Sequence, residues 1–347
     1  MMQAILKTKA GPGLELKQIA VPEPGPGEVL IKVKAAALCG TDIHIADWSL
    51  WAQNAGLKLP LVVGHECAGE VVALGSQVKD LQIGDRVASE THIPCGHCLQ
   101  CQIGEQHICA NLKIFGVHTD GCFAEYAVLP AICARRIPEE ISFQTGAVLE
   151  PLGTAFRAVM EARVAGKPVV VLGCGPIGLF AVGAAAMMGA SKVIGVDVSD
   201  FRLEAAQAMG ATGILNSARD NVVEAVLELT DGYGAEAIIE ASGHVGAIKQ
   251  AFRYLRKGGR FGMIGLPGQH IELELGSEVV FKEAKIFGIH GRKMFDTWRC
   301  MEGALAFGKL NILPVLSHEL PLAAFVEGIE LAKGGLANKV ILLPFNH

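Results

Sequence analysis

The chain has 347 residues, 51% hydrophobic and 19% charged, enough apolar material for the cores of two domains. Its 30 Lys and Arg stand against 35 Asp and Glu, and the net charge of −5 offers no footing for nucleic acid or an anionic membrane. The N-terminus lacks an apolar signal region and the ten cysteines form no secreted disulfide framework, so a reducing cytoplasm is expected.

As far as about Glu150 the sequence alternates short strands, at 28–34, 69–74 and 85–88, with Gly, Pro and Asp turns. That pattern predicts a compact, mostly antiparallel β domain. Two short runs within it carry metal-binding side chains, Cys39-Gly-Thr41-Asp-Ile-His44 and Gly64-His65-Glu66. A catalytic zinc takes about three protein ligands and keeps one position open. Cys39, His65 and a carboxylate, either Glu66 or Glu150, supply such a set. Each has a plain alternative, since a lone Cys is often core filler and a lone His a structural residue.

Next come Cys95, Cys98, Cys101 and Cys109, two residues apart, two apart and then seven. Zinc takes four thiolates at about 2.3 Å each, and two-residue gaps let one loop bend successive sulfurs onto a single ion. Four thiolates leave no position for substrate, so this zinc is structural. An iron–sulfur cluster would call for a fourth cysteine three residues on and a following proline, and both are missing. Disulfides and substitution of one thiolate by the interleaved His97 or His107 are the lesser readings.

Beyond residue 150, apolar strands at 169–172, 192–198, 214–216, 237–241, 260–265 and 286–289 alternate with helical stretches at 200–209, 221–229 and 245–256. This is the pattern of a doubly wound α/β fold with a six-stranded parallel sheet. Residues 169–190 carry no charge and imitate a membrane span, but Gly173, Gly175, Pro176 and Gly178 divide them into a strand, a turn and a helix. Gly173-Cys-Gly175-Pro-Ile177-Gly178 follows a strand and opens a helix. In a dinucleotide fingerprint the first glycine permits the turn, the second admits the pyrophosphate, and the third lets helix and strand pack closely. Asp197 lies 19 residues past Gly178, where a carboxylate takes the ribose hydroxyls and repels a 2′-phosphate, so NAD is expected over NADP. Arg202, one turn into the next helix, can reach adenine or ribose, or favour NADP, or be an ordinary surface arginine. Ile177, Ile264, Gly265, Leu266, Ile289 and His290 are also assigned to the nucleotide. From about Arg292 one amphipathic helix and a closing strand at 339–343 are expected to return to the first domain.

Taken together, these features resemble the zinc-dependent medium-chain dehydrogenase/reductase family over nearly the whole length. The resemblance implies a GroES-like catalytic domain at 1–150, a Rossmann NAD-binding domain at 151–291 and a C-terminal return at 292–347. It implies two zinc ions per chain, with Thr41 and His44 as a proton relay, Glu150 as a carboxylate that ligates or shuttles a proton, and His92 near the substrate. It also implies a homotetramer and a small-molecule substrate. Narrower signals are His44-Ile-Ala-Asp-Trp48-Ser-Leu-Trp51 and Gly291-Arg-Lys-Met-Phe-Asp-Thr-Trp298. They resemble the branch of the family that oxidises L-threonine at C3 to 2-amino-3-oxobutanoate. Thr154, His118 and about one extra residue between Trp51 and Gly64 depart from that branch. Two other expectations stand beside it, a sorbitol- or butanediol-like polyol dehydrogenase and a catalytically silent NAD-binding protein.

Overall fold

The computed structural model describes residues 1–345. The chain divides into two compact units, one made of residues 1–150 with the chain from Leu316 on, the other of residues 151–315. The second break therefore falls at 315/316 rather than at 291/292. Residues 292–315 pack within the second unit: Arg292 closes on Gly153, and Leu310 reaches Gly183 in the helix Pro176–Met187.

In the first unit a seven-stranded sheet is centred on the strand Glu28–Ala37, which pairs antiparallel with Glu66–Leu74, Tyr126–Pro130 and Lys339–Leu343. Ile31, Val33, Val71, Val87, Phe115 and Phe123 are among the buried residues of its core. A smaller sheet joins Glu15–Ile19, Met2–Lys7 and Leu61–Val62. The two-stranded ribbon of His92–Ile93 and Lys113–Ile114 brackets the cysteine loop and fixes both its ends. The C-terminal part holds a helix, Phe325–Lys333, and two strands, Leu316–Pro321 and Lys339–Leu343. The strand Leu316–Pro321 was not foreseen; its own residues are exposed or half-buried, so it lacks a clear apolar pattern.

The second unit is a six-stranded parallel sheet in the order Gly213–Asn216, Lys192–Asp197, Pro168–Leu172, Ala235–Glu240, Leu255–Met263, Lys285–Gly288. This is the order of a Rossmann sheet, third, second, first, fourth, fifth, sixth, and its six parallel strands are as expected. Val169, Val170 and Val171 are fully buried, as a central strand covered on both faces requires. The uncharged stretch resolves into that strand, a turn, and the 12-residue helix Pro176–Met187. Among the described residues no helix is long and apolar enough to cross a membrane. Strand order reverses between Pro168–Leu172 and Ala235–Glu240, and a ligand crevice opens at the carboxyl ends of strands at such a point.

Candidate metal centres and nucleotide site

The sulfurs of Cys95, Cys98, Cys101 and Cys109 all lie within 4.8 Å of one another. Cys98 Sγ is 3.5 Å from Cys101 Sγ and 3.7 Å from Cys109 Sγ. Four bonds of about 2.3 Å to a tetrahedral zinc place sulfurs about 3.8 Å apart, so the spacing fits that ion, whereas a disulfide would bring two sulfurs to about 2.05 Å. Backbone N–H groups of Cys95 and Asn111 donate to Cys109 Sγ at 3.2 and 3.3 Å, the charge-stabilising contacts a thiolate accepts. The Cys95 thiol is drawn down to about 6, led by the hydrogen bond from the His97 backbone. Burial pushes Cys101 up to about 12. The His97 ring is turned to the Cys95 carbonyl at 2.8 Å, and neither His97 nor His107 joins the sulfur group.

A second cluster brings ligand atoms of Cys39, His65 and Glu66 within 4.8 Å of one another. Local structure explains the placement. Cys39 is the N-cap of the helix Gly40–Asp47, and its N–H donates to Asp42 Oδ2 at 2.9 Å. His65 is set by Gly64, whose φ of +91° is the left-handed region and whose missing Cβ would otherwise lie 2.2 Å from the Phe123 ring. Glu66 opens the next strand, fully buried. Asp42 Oδ1 and His65 Nδ1, both buried and without hydrogen-bond partners, face each other at 3.8 Å. That pairing suits a metal-bound imidazole, whose second nitrogen is steered by a carboxylate.

Burial raises the Cys39 thiol, and Lys339 opposes that rise. Burial also raises the Asp42 carboxyl, against the pull of His65. Lys339 Nζ lies 2.8 and 2.7 Å from the two Glu66 oxygens, 3% and 0% exposed respectively. Burial works against the charge on Lys339, yet Glu66, Cys39 and Glu150 hold it above the ordinary lysine range. Glu150 is not gathered into the cluster but acts on Cys39 and Glu66 through its charge.

Thr41 Oγ1 lies 3.8 Å from the Cys39 sulfur, and His44, three residues on along the same helix, is exposed. His44 sits 6.0 Å from the half-exposed Trp51 ring, measured between centroids. Trp48 ends the helix at a φ of 54° with Lys7 Nζ 5.1 Å from its ring. His92 is buried, and Glu90 Oε1 accepts from its N–H at 2.9 Å and meets its Nδ1 at 2.8 Å. His118 is a strut, accepting from the Ile114 N–H at 2.8 Å while its Nε2 lies 3.1 Å from the Ala55 carbonyl.

In the second unit Gly173 has a φ of +87°, and a Cβ there would lie 2.8 Å from Ser242. A Cβ on Gly178 would lie 1.7 Å from the Gly173 carbonyl oxygen, while one on Gly175 would meet nothing within 4 Å. Gly175 therefore faces open space at the start of a helix whose N–H groups favour an anion. The crevice beside it has a volume of about 780 Å³ and is lined by Gly173, Gly175, Asp197, Arg202, Ser242 and Arg253 among others. Asp197 Oδ2 accepts from the Cys174 N–H at 2.7 Å and Oδ1 from Val198 and Ser199 at 2.8 and 2.9 Å. These fix the carboxylate at the rim, with Arg202 Nη1 3.9 Å away.

Ile177 lies in the first turn of the following helix. Ile264 and Gly265 donate to the Glu240 carbonyl at 2.8 and 3.1 Å, and Ile289 donates to Met263 at 2.9 Å. Leu266 is 87% exposed, and the His290 carbonyl accepts from Arg157. None of these six lines the crevice.

Sequence reasoning missed Asp42, Lys339 and Glu90, the buried partners of His65, Glu66 and His92. Asp42 had a signal, being an acid three residues after an N-cap. Lys339 had none, lying 273 residues from Glu66. In the crevice, Ser242, His244, Lys249 and Arg253 were also missed.

Four thiolates spaced for one zinc, a second metal set of Cys39, His65 and Glu66, and a crevice for a dinucleotide define an NAD- and zinc-dependent alcohol dehydrogenase. Residues 25–139 match the alcohol dehydrogenase GroES-like domain and residues 176–306 the zinc-binding dehydrogenase model. An L-threonine 3-dehydrogenase of Bacillus subtilis is 43% identical over 343 residues, 99% of each chain. A putative zinc-binding dehydrogenase of Sinorhizobium meliloti, solved bound to NADP, superposes with a TM-score of 0.91 at 31% identity over 99% of each chain. The 2R,3R-butanediol dehydrogenase of Bacillus subtilis superposes at 0.89 with 26% identity, over 99% of this chain and 100% of that one. The chain belongs to the zinc-dependent medium-chain dehydrogenase/reductase family.

Proposed function

We propose that the chain oxidises the C3 hydroxyl of L-threonine to give 2-amino-3-oxobutanoate, with NAD as hydride acceptor. The observation that carries this reading is the meeting of Cys39, His65 and Glu66 in a chain 43% identical to an L-threonine 3-dehydrogenase. Zinc held by these residues supplies a Lewis acid that lowers an alcohol's pKa by several units, and NAD supplies the hydride acceptor. Asp42 orients His65, and Lys339 holds Glu66. Thr41 Oγ1 receives the hydroxyl proton and His44 passes it to solvent, a route supported by their shared helix face and the exposure of His44. Glu150 is the second carboxylate, taking up zinc or a proton, a role supported by its charge acting on Cys39 and Glu66. His92, its Nδ1 held by Glu90, is the histidine near the substrate. Cys95, Cys98, Cys101 and Cys109 hold the structural zinc.

Asp197 favours NAD, since its fixed carboxylate repels a 2′-phosphate. The same reading places the protein in the cytoplasm, supported by ten free thiols. It assembles as a homotetramer, a reading supported by the open edge strand Lys285–Gly288 and the exposed Leu275, Val280, Phe281 and Ile286 in the stretch leading to and along it. The test is NAD reduction with L-threonine, sorbitol and 2,3-butanediol at matched concentrations. A clear preference for threonine is expected; a preference for either polyol would assign the site to polyol oxidation instead.

A further inference from the structure

Apart from the dinucleotide crevice, the second unit has a cavity of about 260 Å³ whose wall carries four cations, Arg157, Arg163, Arg260 and Lys293, against two acids, Glu161 and Asp296. Both acids are already engaged. Glu161 Oε1 lies 3.5 Å from Arg157 Nε, and Asp296 Oδ1 lies 3.3 Å from Arg299. The arginines are held mainly by neutral carbonyls: Arg260 Nε donates to the Glu161 carbonyl at 3.0 Å and Arg157 Nη1 to that of His290 at 3.2 Å. Such bonds aim a guanidinium without neutralising it.

The Arg157 side chain is 12% exposed, so a group with five N–H donors is largely desolvated with one hydrogen bond and one loose ion pair. Arg260 is fixed further by the Phe287 ring, 5.2 Å away. The helix Asp296–Ala306 starts at this wall, with Asp296 and Thr297 lining it, so its positive end adds to the potential. Two positive charges in excess in a concave, half-buried place call for an anion of matching charge.

We propose that this cavity binds a small oxyanion of two or more negative charges, of phosphate or polycarboxylate chemistry. Part of the 291–298 segment, with Lys293, Asp296 and Thr297, then serves this site.

The test is calorimetric titration of the NAD-saturated protein with inorganic phosphate and, separately, citrate, at constant ionic strength. Saturation with NAD keeps the probe out of the pyrophosphate cradle. Saturable binding of at least one probe is expected, weakened about tenfold or more in Arg260→Gln and in Lys293→Gln. Arg163→Gln, at an exposed position, replaces either variant that fails to fold. Tighter phosphate assigns a tetrahedral oxyanion and tighter citrate a polycarboxylate, both within the proposal. No saturable binding of either probe, or undiminished binding in the variants, overturns it.

Discussion

Two glycines three residues apart make opposite predictions, and alanine at each separates cofactor binding from folding. At Gly175 an added methyl meets no atom within 4 Å, so the fold accepts it. The cost to the helix start is that of Ala for Gly at an N-cap, about 0.5–1 kcal/mol. The methyl does occupy the space through which a pyrophosphate approaches the backbone. Each charge-assisted N–H bond lost there is worth about 1.5–3 kcal/mol, or about 10- to 150-fold in NAD affinity. At Gly178 the methyl falls 1.7 Å from the Gly173 carbonyl oxygen, so strand and helix must separate. Overpacking of that kind costs about 1–3 kcal/mol or more. A domain of this size loses about 2–4 °C per kcal/mol, so Gly178→Ala lowers the melting midpoint of the second unit by about 2–12 °C and Gly175→Ala by no more than about 4 °C. Calorimetric melting of the protein without cofactor and NAD titration read the two effects separately. If Gly175→Ala bound NAD within about twofold of the parent chain, the pyrophosphate reading of the loop would fail.

Lys339→Met leaves the Glu66 carboxylate buried without its cation and is expected to cost about 3–5 kcal/mol, with Glu66→Leu in the same chain recovering much of it; denaturant midpoints would show an equal loss in both if the pair were unimportant. Ala at Gly64 would drive a methyl into the Phe123 ring at 2.2 Å, so Gly64→Ala should lose zinc from the Cys39 set while retaining it among the four thiolates, and retention of both would contradict the placement of His65. Burial lifts the Cys174 thiol to about 12, so iodoacetamide at pH 8 should leave it unmodified in the folded protein. Its raised pKa stabilises the fold below the thiol's ordinary value near 9 and loses that contribution as pH climbs towards 12, and a Cys174→Ser variant should lack this alkaline slope.

The Rossmann sheet was legible because its signals are local. Apolar strands, glycine turns and helical stretches recur at the spacing of a doubly wound sheet, whereas the order of its strands is a tertiary feature seen only in the structure. The cysteine loop was legible for the same reason, since its ligands span 15 residues. Cys39 and His65 could be singled out as residue types, but their meeting depends on a capping turn and on Gly64 folding against Phe123. Lys339 was invisible because its partner lies on a distant strand, and Glu90 because an acid two residues before a histidine has no special meaning until both are buried. The segment 292–315 was assigned to the wrong neighbour because its burying contacts, Arg292 on Gly153 and Leu310 on Gly183, are tertiary.

Zinc content measured per chain tests the catalytic cluster most directly, in the parent protein and in Cys39→Ser and Cys98→Ser. Two ions are expected in the parent, with Cys39→Ser keeping one ion and full NAD affinity while losing threonine oxidation. A single ion in the parent, or two in Cys39→Ser, would contradict the assignment of Cys39 and His65 to a metal.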